Sequence, residues 1–271
     1  MIPGATNAVK CFLCDRDDPV PRFRVGKQEL AQCRSCGLVY ADSVPSAAIY
    51  ETDDYFVKRN EYVQRWDEFC AIFGAILDKV RRYKDKGILL DVGASVGALL
   101  HVARERGYVT CGVEVSEWAS AYARDERKLD VVTGTLEDAA FPDLHFDVVV
   151  INHVLEHVPD PLSLLREARR ILKDDGVVVV GVPNFGSIMA AVLRERWPSL
   201  CPGEHLWHFA PSTLRRALGR AGFRVVHFEA RDNHAASGWR PTVWARRVIN
   251  LVSALTNRSE AMLVIAMKQV H

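Results

Sequence analysis

Polar and apolar positions change rhythm at Gly87. From there on, short aliphatic runs alternate with stretches whose apolar residues recur at helical spacing. Strands are predicted at Ile88 to Val92, Thr110 to Glu114, Val131 to Val132, Phe146 to Asn152 and Val177 to Val182. Helices are predicted over Val96 to Arg106, Ser116 to Arg127 and Pro161 to Leu172. Such an alternation specifies a doubly wound α/β sheet of parallel strands with helices on both faces. Before Gly87, the spacing of Tyr62, Trp66, Phe69, Phe73, Ile76, Leu77 and Val80 is helical. Residues 46–86 therefore read as a helical linker or lid, which Tyr50, Tyr55 and Phe56 precede or enter. The main α/β unit is expected over residues 87–271.

The first 45 residues follow neither rhythm. Cys11 and Cys14 form one C-x-x-C, Cys33 and Cys36 a second, and 18 residues separate the pairs. Each turn points two thiolates at one ion, and four thiolates fill a tetrahedral Zn2+ shell with no position left for water. A structural zinc ribbon is expected at residues 1–45. Cys70, Cys111 and Cys201 stand alone and read as small buried hydrophobes.

Composition adds exclusions. The 271 residues are 49% hydrophobic and 25% charged, with a formal net charge of +1, as in an ordinary soluble globular protein. No charged start leads into a long apolar run, and no run of membrane-spanning length occurs, so a cytoplasmic protein without membrane association is expected. No global field draws the chain to nucleic acid. Between Leu214 and Asn250, however, eight arginines face two acidic residues. Met1 to Asn60, which includes the ribbon, is balanced at eight basic and eight acidic residues.

In open sheets of this kind the ligand lies at the carboxyl ends of the strands. The first ends in "DVGASVG", where Gly93 permits a sharp turn and Gly97 a close helix start. Ser95 stands where a dinucleotide loop has its middle glycine, which argues against a pyrophosphate pressed to the chain. The second ends in Glu114, next to Val115. A carboxylate there can accept both ribose hydroxyls and would repel a 2′-phosphate. Thr135, Leu136 and Glu137 follow the third strand, where an adenine would lie. The fourth ends in "INHVLEHVPDP", a polar cluster with two histidines directly after a buried run.

From Gly87 to Phe228 the chain resembles the class I S-adenosylmethionine-dependent methyltransferases. The likeness rests on "LDVGASVG", "GVEVS", "FDVVVINHVLEHVPDPLSLLREARRILKDDGVVVVGVPN" and "EHLWHFAPSTLRRALGRAGFRVV", in that order. It implies a seven-stranded, Rossmann-like sheet whose last strand is antiparallel, with Phe223 to Glu229 sixth, Met262 to Met267 seventh and an insertion at 232–257. It also implies that Asp91, Gly93, Ala94 and Gly97 hold the amino-acid end of S-adenosylmethionine. Glu114 and Val115 would take the ribose, Thr135 and Leu136 the adenine, and Asn152 and His153 the region below the sulfonium, with Tyr55 as a lid contact.

Ribbon and core together resemble zinc-ribbon methyltransferases of bacterial sugar and natural-product tailoring. Glu204-His205 matches an adjacent Glu-His pair at the active site of the sugar C-methyltransferases among them, although Pro202 stands where those enzymes have a tyrosine.

The expected activity is O-methylation of a small molecule, a sugar or natural-product hydroxyl, with a histidine as general base. His205 is the first choice with Glu204 beside it, and His208 and His153 are alternatives; His157 is expected to be structural. Trp197 and Trp207 are expected to wall the acceptor pocket. Other readings are C- or N-methylation of a nucleotide-sugar, and RNA methylation using the ribbon and the arginines, although the charge balance disfavours nucleic acid. Oligomeric state stays open, with Trp239 and Trp244 of the insertion available to a homodimer partner.

Overall fold

The computed structural model describes residues 10–16, 18–26, 28–41, 61–231, 252–253 and 256–269. Tyr50, Tyr55 and Phe56, and Trp239 and Trp244 with most of the 232–257 insertion, lie outside the described residues.

The central sheet has seven strands: β4 (Ile88–Val92), β5 (Val109–Glu114), β6 (Val131–Thr133), β7 (Phe146–Asn152), β8 (Leu172–Pro183), β10 (Phe223–Arg231) and β11 (Ala261–Lys268). Their order is β10-β11-β8-β7-β4-β5-β6. β11 runs antiparallel to both of its neighbours, and the remaining pairs are parallel. β7 and β8 supply the unbroken valine runs of strands covered on both faces, and their valines are fully buried.

β8 begins five residues before its apolar run. Leu172 pairs with Phe146, and Lys173 donates to Asp147 Oδ2 at 2.7 Å, which gives a polar stretch a place in the ladder.

Helices α3 (Ala98–Glu105), α4 (Glu117–Asp125) and α5 (Pro161–Ile171) connect the parallel strands. Their starts are set by side chains. Asp160 accepts from the amides of Leu162 and Ser163 at 3.0 Å, with Pro161 as first helical residue, and Ser116 accepts from Ala119 at 3.3 Å. Of the two helices before Gly87, α1 (Glu61–Gln64) and α2 (Trp66–Val80), the longer packs on α3 and buries Ile76, Leu77 and Val80. Helices α6 (Ile188–Leu193) and α7 (Pro211–Arg220) complete the carboxyl half. No helix among the described residues is long and apolar enough to cross a membrane.

The cysteine region forms β1 (Pro19–Val25), β2 (Gln28–Cys33) and β3 (Val39–Ala41), all antiparallel. A fourth strand of this sheet comes from the distant loop after β8. It is β9 (Trp207–His208), with Val39 opposite His208 and Tyr40 opposite Trp207. The small sheet and the large one thus share a hydrophobic cluster. Trp207 is 2% exposed; its ring lies 4.7 Å from Phe12 and 5.7 Å from Tyr40, and its indole N–H donates to the Val158 carbonyl at 2.9 Å. It seals the cysteine region to the core instead of walling an acceptor pocket. Trp197 is equally buried, against Phe185.

Candidate active site

The loop after β4 is held from β5. The amides of Gly93 and Ala94 donate to the Val113 carbonyl at 2.9 and 3.0 Å. Gly93 (φ 77°) and Gly97 (φ 88°) adopt left-handed conformations, and a Cβ on either would strike Val154 or Leu129 at 2.4 or 2.3 Å. Ser95 also takes a left-handed φ of 50° and donates its amide to Glu114 Oε2 at 2.8 Å. The loop therefore keeps a glycine-type turn without the glycine.

Glu114 is 5% exposed and accepts a second amide, from Ser116, at 2.9 Å. Asp91, 4% exposed, lies close enough to feel it: burial first and the Glu114 charge second raise the Asp91 carboxyl well above its ordinary range. Two buried acids on adjacent strands favour a cationic ligand group such as an ammonium, and the buried Ser95 hydroxyl has no partner among the described residues. Both features fit the amino-acid and ribose ends of S-adenosylmethionine. Farther along, the amide and hydroxyl of Thr135 donate to Asp138 at 3.0 and 2.7 Å, Leu136 is buried, and Val115 is 48% exposed.

The end of β7 carries the densest chemistry. His153 has a left-handed φ of 56°, a rare conformation for a side-chain-bearing residue, and its amide is tied to the Gly181 carbonyl at 2.8 Å. Its Nδ1–H donates to Glu156 Oε1 at 3.1 Å. The His153 side chain is 33% exposed, whereas that of Glu156 is 1% exposed. Burial alone would raise the Glu156 carboxyl. The hydrogen bond from His153 and the positive potential of His153, His157 and His205 overcome it and hold the group at about 2. Glu156 Oε2 has no partner among the described residues.

The other histidines stack behind this pair. His157 donates from Nδ1 to the Glu204 carbonyl at 3.1 Å, and its ring meets that of His205 edge-on at 4.6 Å. His205 donates from Nδ1 to the Ser199 carbonyl at 2.9 Å. It is 7% exposed, and burial with the neighbouring His157 pushes it down to about 3. His208 is 4% exposed and pushed down by burial to about 4. Ligand atoms of Glu156, His157 and His205 converge within 4.8 Å and could hold a cation.

The domain that carries these residues has counterparts. A family model described as "Methyltransferase domain" matches residues 61–228, more than half of the chain. The chain belongs to the methyltransferase domain family. Two curated relatives, each named ubiquinone biosynthesis O-methyltransferase, align with it. The Yersinia enterocolitica protein is 39% identical over 52% of this chain and 59% of its own. The Neisseria meningitidis serogroup C protein is 30% identical over 55% of this chain and 68% of its own. The methyltransferase thus spans about three fifths to two thirds of the length of these relatives. A solved S-adenosylmethionine-dependent methyltransferase from Archaeoglobus fulgidus superposes with a TM-score of 0.59 at 24% identity, covering 80% of this chain and 100% of its own.

The cysteines of this methyltransferase converge as expected from their spacing. Sγ–Sγ distances are 3.4 Å for Cys11–Cys36, 3.7 Å for Cys11–Cys14 and 3.4 Å for Cys14–Cys33, and all four Sγ lie within 4.8 Å of one another. A tetrahedral ion with Zn–S bonds of about 2.3 Å needs edges of about 3.8 Å, so the set fits one. Burial pushes the Cys11 and Cys36 thiols up, which leaves a cation as the natural means of keeping such thiolates charged.

Sequence reasoning missed Glu156 as a site residue. Its signal was a carboxylate three residues after His153 and directly beside His157, within the polar cluster that follows the buried run of β7.

Proposed function

We propose that the chain methylates a hydroxyl of a small molecule, of the sugar or natural-product kind, and that His153 held by Glu156 is the base. S-adenosylmethionine, when bound, supplies a methyl group already activated on sulfonium. Asp91, Gly93, Ala94 and Gly97 hold its amino-acid end, Glu114 and Val115 its ribose, and Thr135 and Leu136 its adenine, while Asn152 and His153 border the reacting carbon. Cys11, Cys14, Cys33 and Cys36 hold a structural Zn2+. Names of the curated relatives support oxygen as the methylated atom.

The carrying observation is the His153–Glu156 hydrogen bond, with one partner reachable and the other sealed. With Nδ1–H given to the carboxylate, Nε2 keeps its lone pair and can take the acceptor's proton, and the anionic Glu156 stabilises the imidazolium that forms. His205 is a poorer base because burial opposes its protonation. It acts with Glu204, His157 and His208 as the backing that fixes Glu156.

Part of the carboxyl-half arginine excess is engaged within the protein, which supports a small acceptor over a nucleic acid. Arg220 donates to the Phe12 carbonyl and to Asp15 at 3.0 and 2.7 Å, and Arg215 lies 4.8 Å over the Phe228 ring.

The test is S-adenosylhomocysteine release measured over a panel of hydroxylated acceptors. His153→Gln is expected to lower turnover about 10²- to 10⁴-fold, with affinity for S-adenosylhomocysteine unchanged. Glu156→Gln is expected to shift the acidic limb of the pH profile. Normal turnover by His153→Gln refutes the assignment.

A further inference from the structure

At the carboxyl end of β10 a cation stands beside the reacting edge, and no anion among the described residues meets it. Arg231 is partly buried, and its Nη2 donates to Asn152 Oδ1 at 3.2 Å. Its guanidinium lies over Gly181. A Cβ on that glycine would sit 3.7 Å from Arg231 Nη2 and only 2.2 Å from Asn152 Oδ1, so glycine is what gives the Asn152 side chain its room.

Glu229, two residues back on the same face of β10, is the negative charge that Arg231 feels. It is engaged elsewhere, by Lys79 at 3.4 Å and His227 at 3.4 Å. No carboxylate among the described residues makes an ion pair with Arg231. A guanidinium has five N–H donors and cannot shed its charge, and a half-desolvated charge left unpaired is costly. Asn152 accepts from Arg231 through Oδ1, and its amide NH₂, which donates to no acceptor among the described residues, can donate to the same visitor.

Position identifies that visitor. β10 lies on the far side of β7 from β4, whose loop is assigned to the amino-acid end of the cofactor. Asn152 directly precedes His153. Building on the acceptor site proposed above, we propose that Arg231 and Asn152 form an oxyanion receptor for the methyl acceptor, which therefore carries a carboxylate or a phosphate near the hydroxyl to be methylated. The guanidinium fork matches two oxygens of either group.

The experiment uses the full chain saturated with S-adenosylhomocysteine and reads thermal stability against benzoate, inorganic phosphate and, as the neutral control, benzamide. One oxyanion is expected to stabilise saturably where benzamide does not; benzoate alone identifies a carboxylate, phosphate alone a phosphate. Arg231→Gln is expected to weaken that oxyanion at least tenfold, equivalent to about 1.4 kcal/mol, and Arg231→Lys to fall between. Both variants should bind S-adenosylhomocysteine as the parent does, which calorimetry checks. The proposal is overturned if neither oxyanion outperforms benzamide, if Arg231→Gln binds the anion unchanged, or if folded Arg231→Gln loses S-adenosylhomocysteine, which would move Arg231 to the cofactor. These are binding readouts. Failure of the base assignment appears separately, as normal turnover by His153→Gln.

Discussion

His208 places a titratable ring where protonation is opposed. Its Nε2 is buried without a partner among the described residues, and desolvation brings its pKa from 6.5 down to about 4. The unfolded chain takes up that proton below pH 6.5 and the folded chain does not, so stability is full above pH 6.5 and falls as pH drops toward 4. Each tenfold loss of proton affinity is worth about 1.4 kcal/mol, so this one residue can cost a few kcal/mol. Glu156 acts in the same direction at lower pH: its lowered pKa contributes stability above about pH 4.5 that is lost as pH falls toward 2. Melting temperature is therefore expected to fall between pH 6.5 and 4, with a shallower slope in His208→Gln. An unchanged slope would place the acid sensitivity elsewhere. Ser95 shows what residue types conceal at this scale. A serine in place of glycine signals a changed loop, yet the backbone kept the left-handed turn because the Glu114 carboxylate holds the Ser95 amide.

Among elements, legibility follows partner distance and purity of pattern. β4 and β7 occupy the residues their aliphatic runs predict, and α5 starts at Pro161 behind its Asp160 cap. β8 runs longer because a polar stretch finds pairing that hydrophobicity does not announce. β9 was invisible: two residues carry no period, and β3, their partner, belongs to the amino-terminal sheet. Its location is the most consequential for the site. The amides of Leu206 and Trp207 both donate to the Glu156 carbonyl, at 2.9 and 3.1 Å, and Gly203 donates to Gln28 Oε1 at 3.0 Å. The cysteine region thus steadies the segment that bears Glu204 and His205. Trp207→Ala is expected to destabilise by about 3–5 kcal/mol and to speed amide exchange at residues 39–41. Exchange there at the parental rate would show that β9 does not hold β3. Metal analysis of reduced protein is expected to find about one zinc per chain; none would remove the ion from this picture.

For the whole molecule, the fold class was legible because strand and helix alternate without interruption, and the buried valine strands leave little freedom in their arrangement. The joining of the two sheets was not, since it depends on Trp207, Phe12 and Tyr40 meeting across the chain. Ligand linkage probes the molecule as a unit. S-adenosylmethionine at about 100 times its dissociation constant is expected to stabilise by about 2.7 kcal/mol, and NAD at the same concentration to leave the melting temperature unmoved. The reverse result would contradict the cofactor assignment.

The β3–β9 pairing also imposes an order of events during synthesis. The three amino-terminal strands leave the ribosome early and can close on their cysteines at once, but the outer edge of β3 waits for a strand made only after β8. Loop closure over so long a separation comes late. Until then that edge is an open template for pairing with another chain, so β3 is a place where a nascent molecule is exposed to aggregation, and the segment bearing Glu204 and His205 gains its hold on the amino-terminal sheet only after β8 has been made.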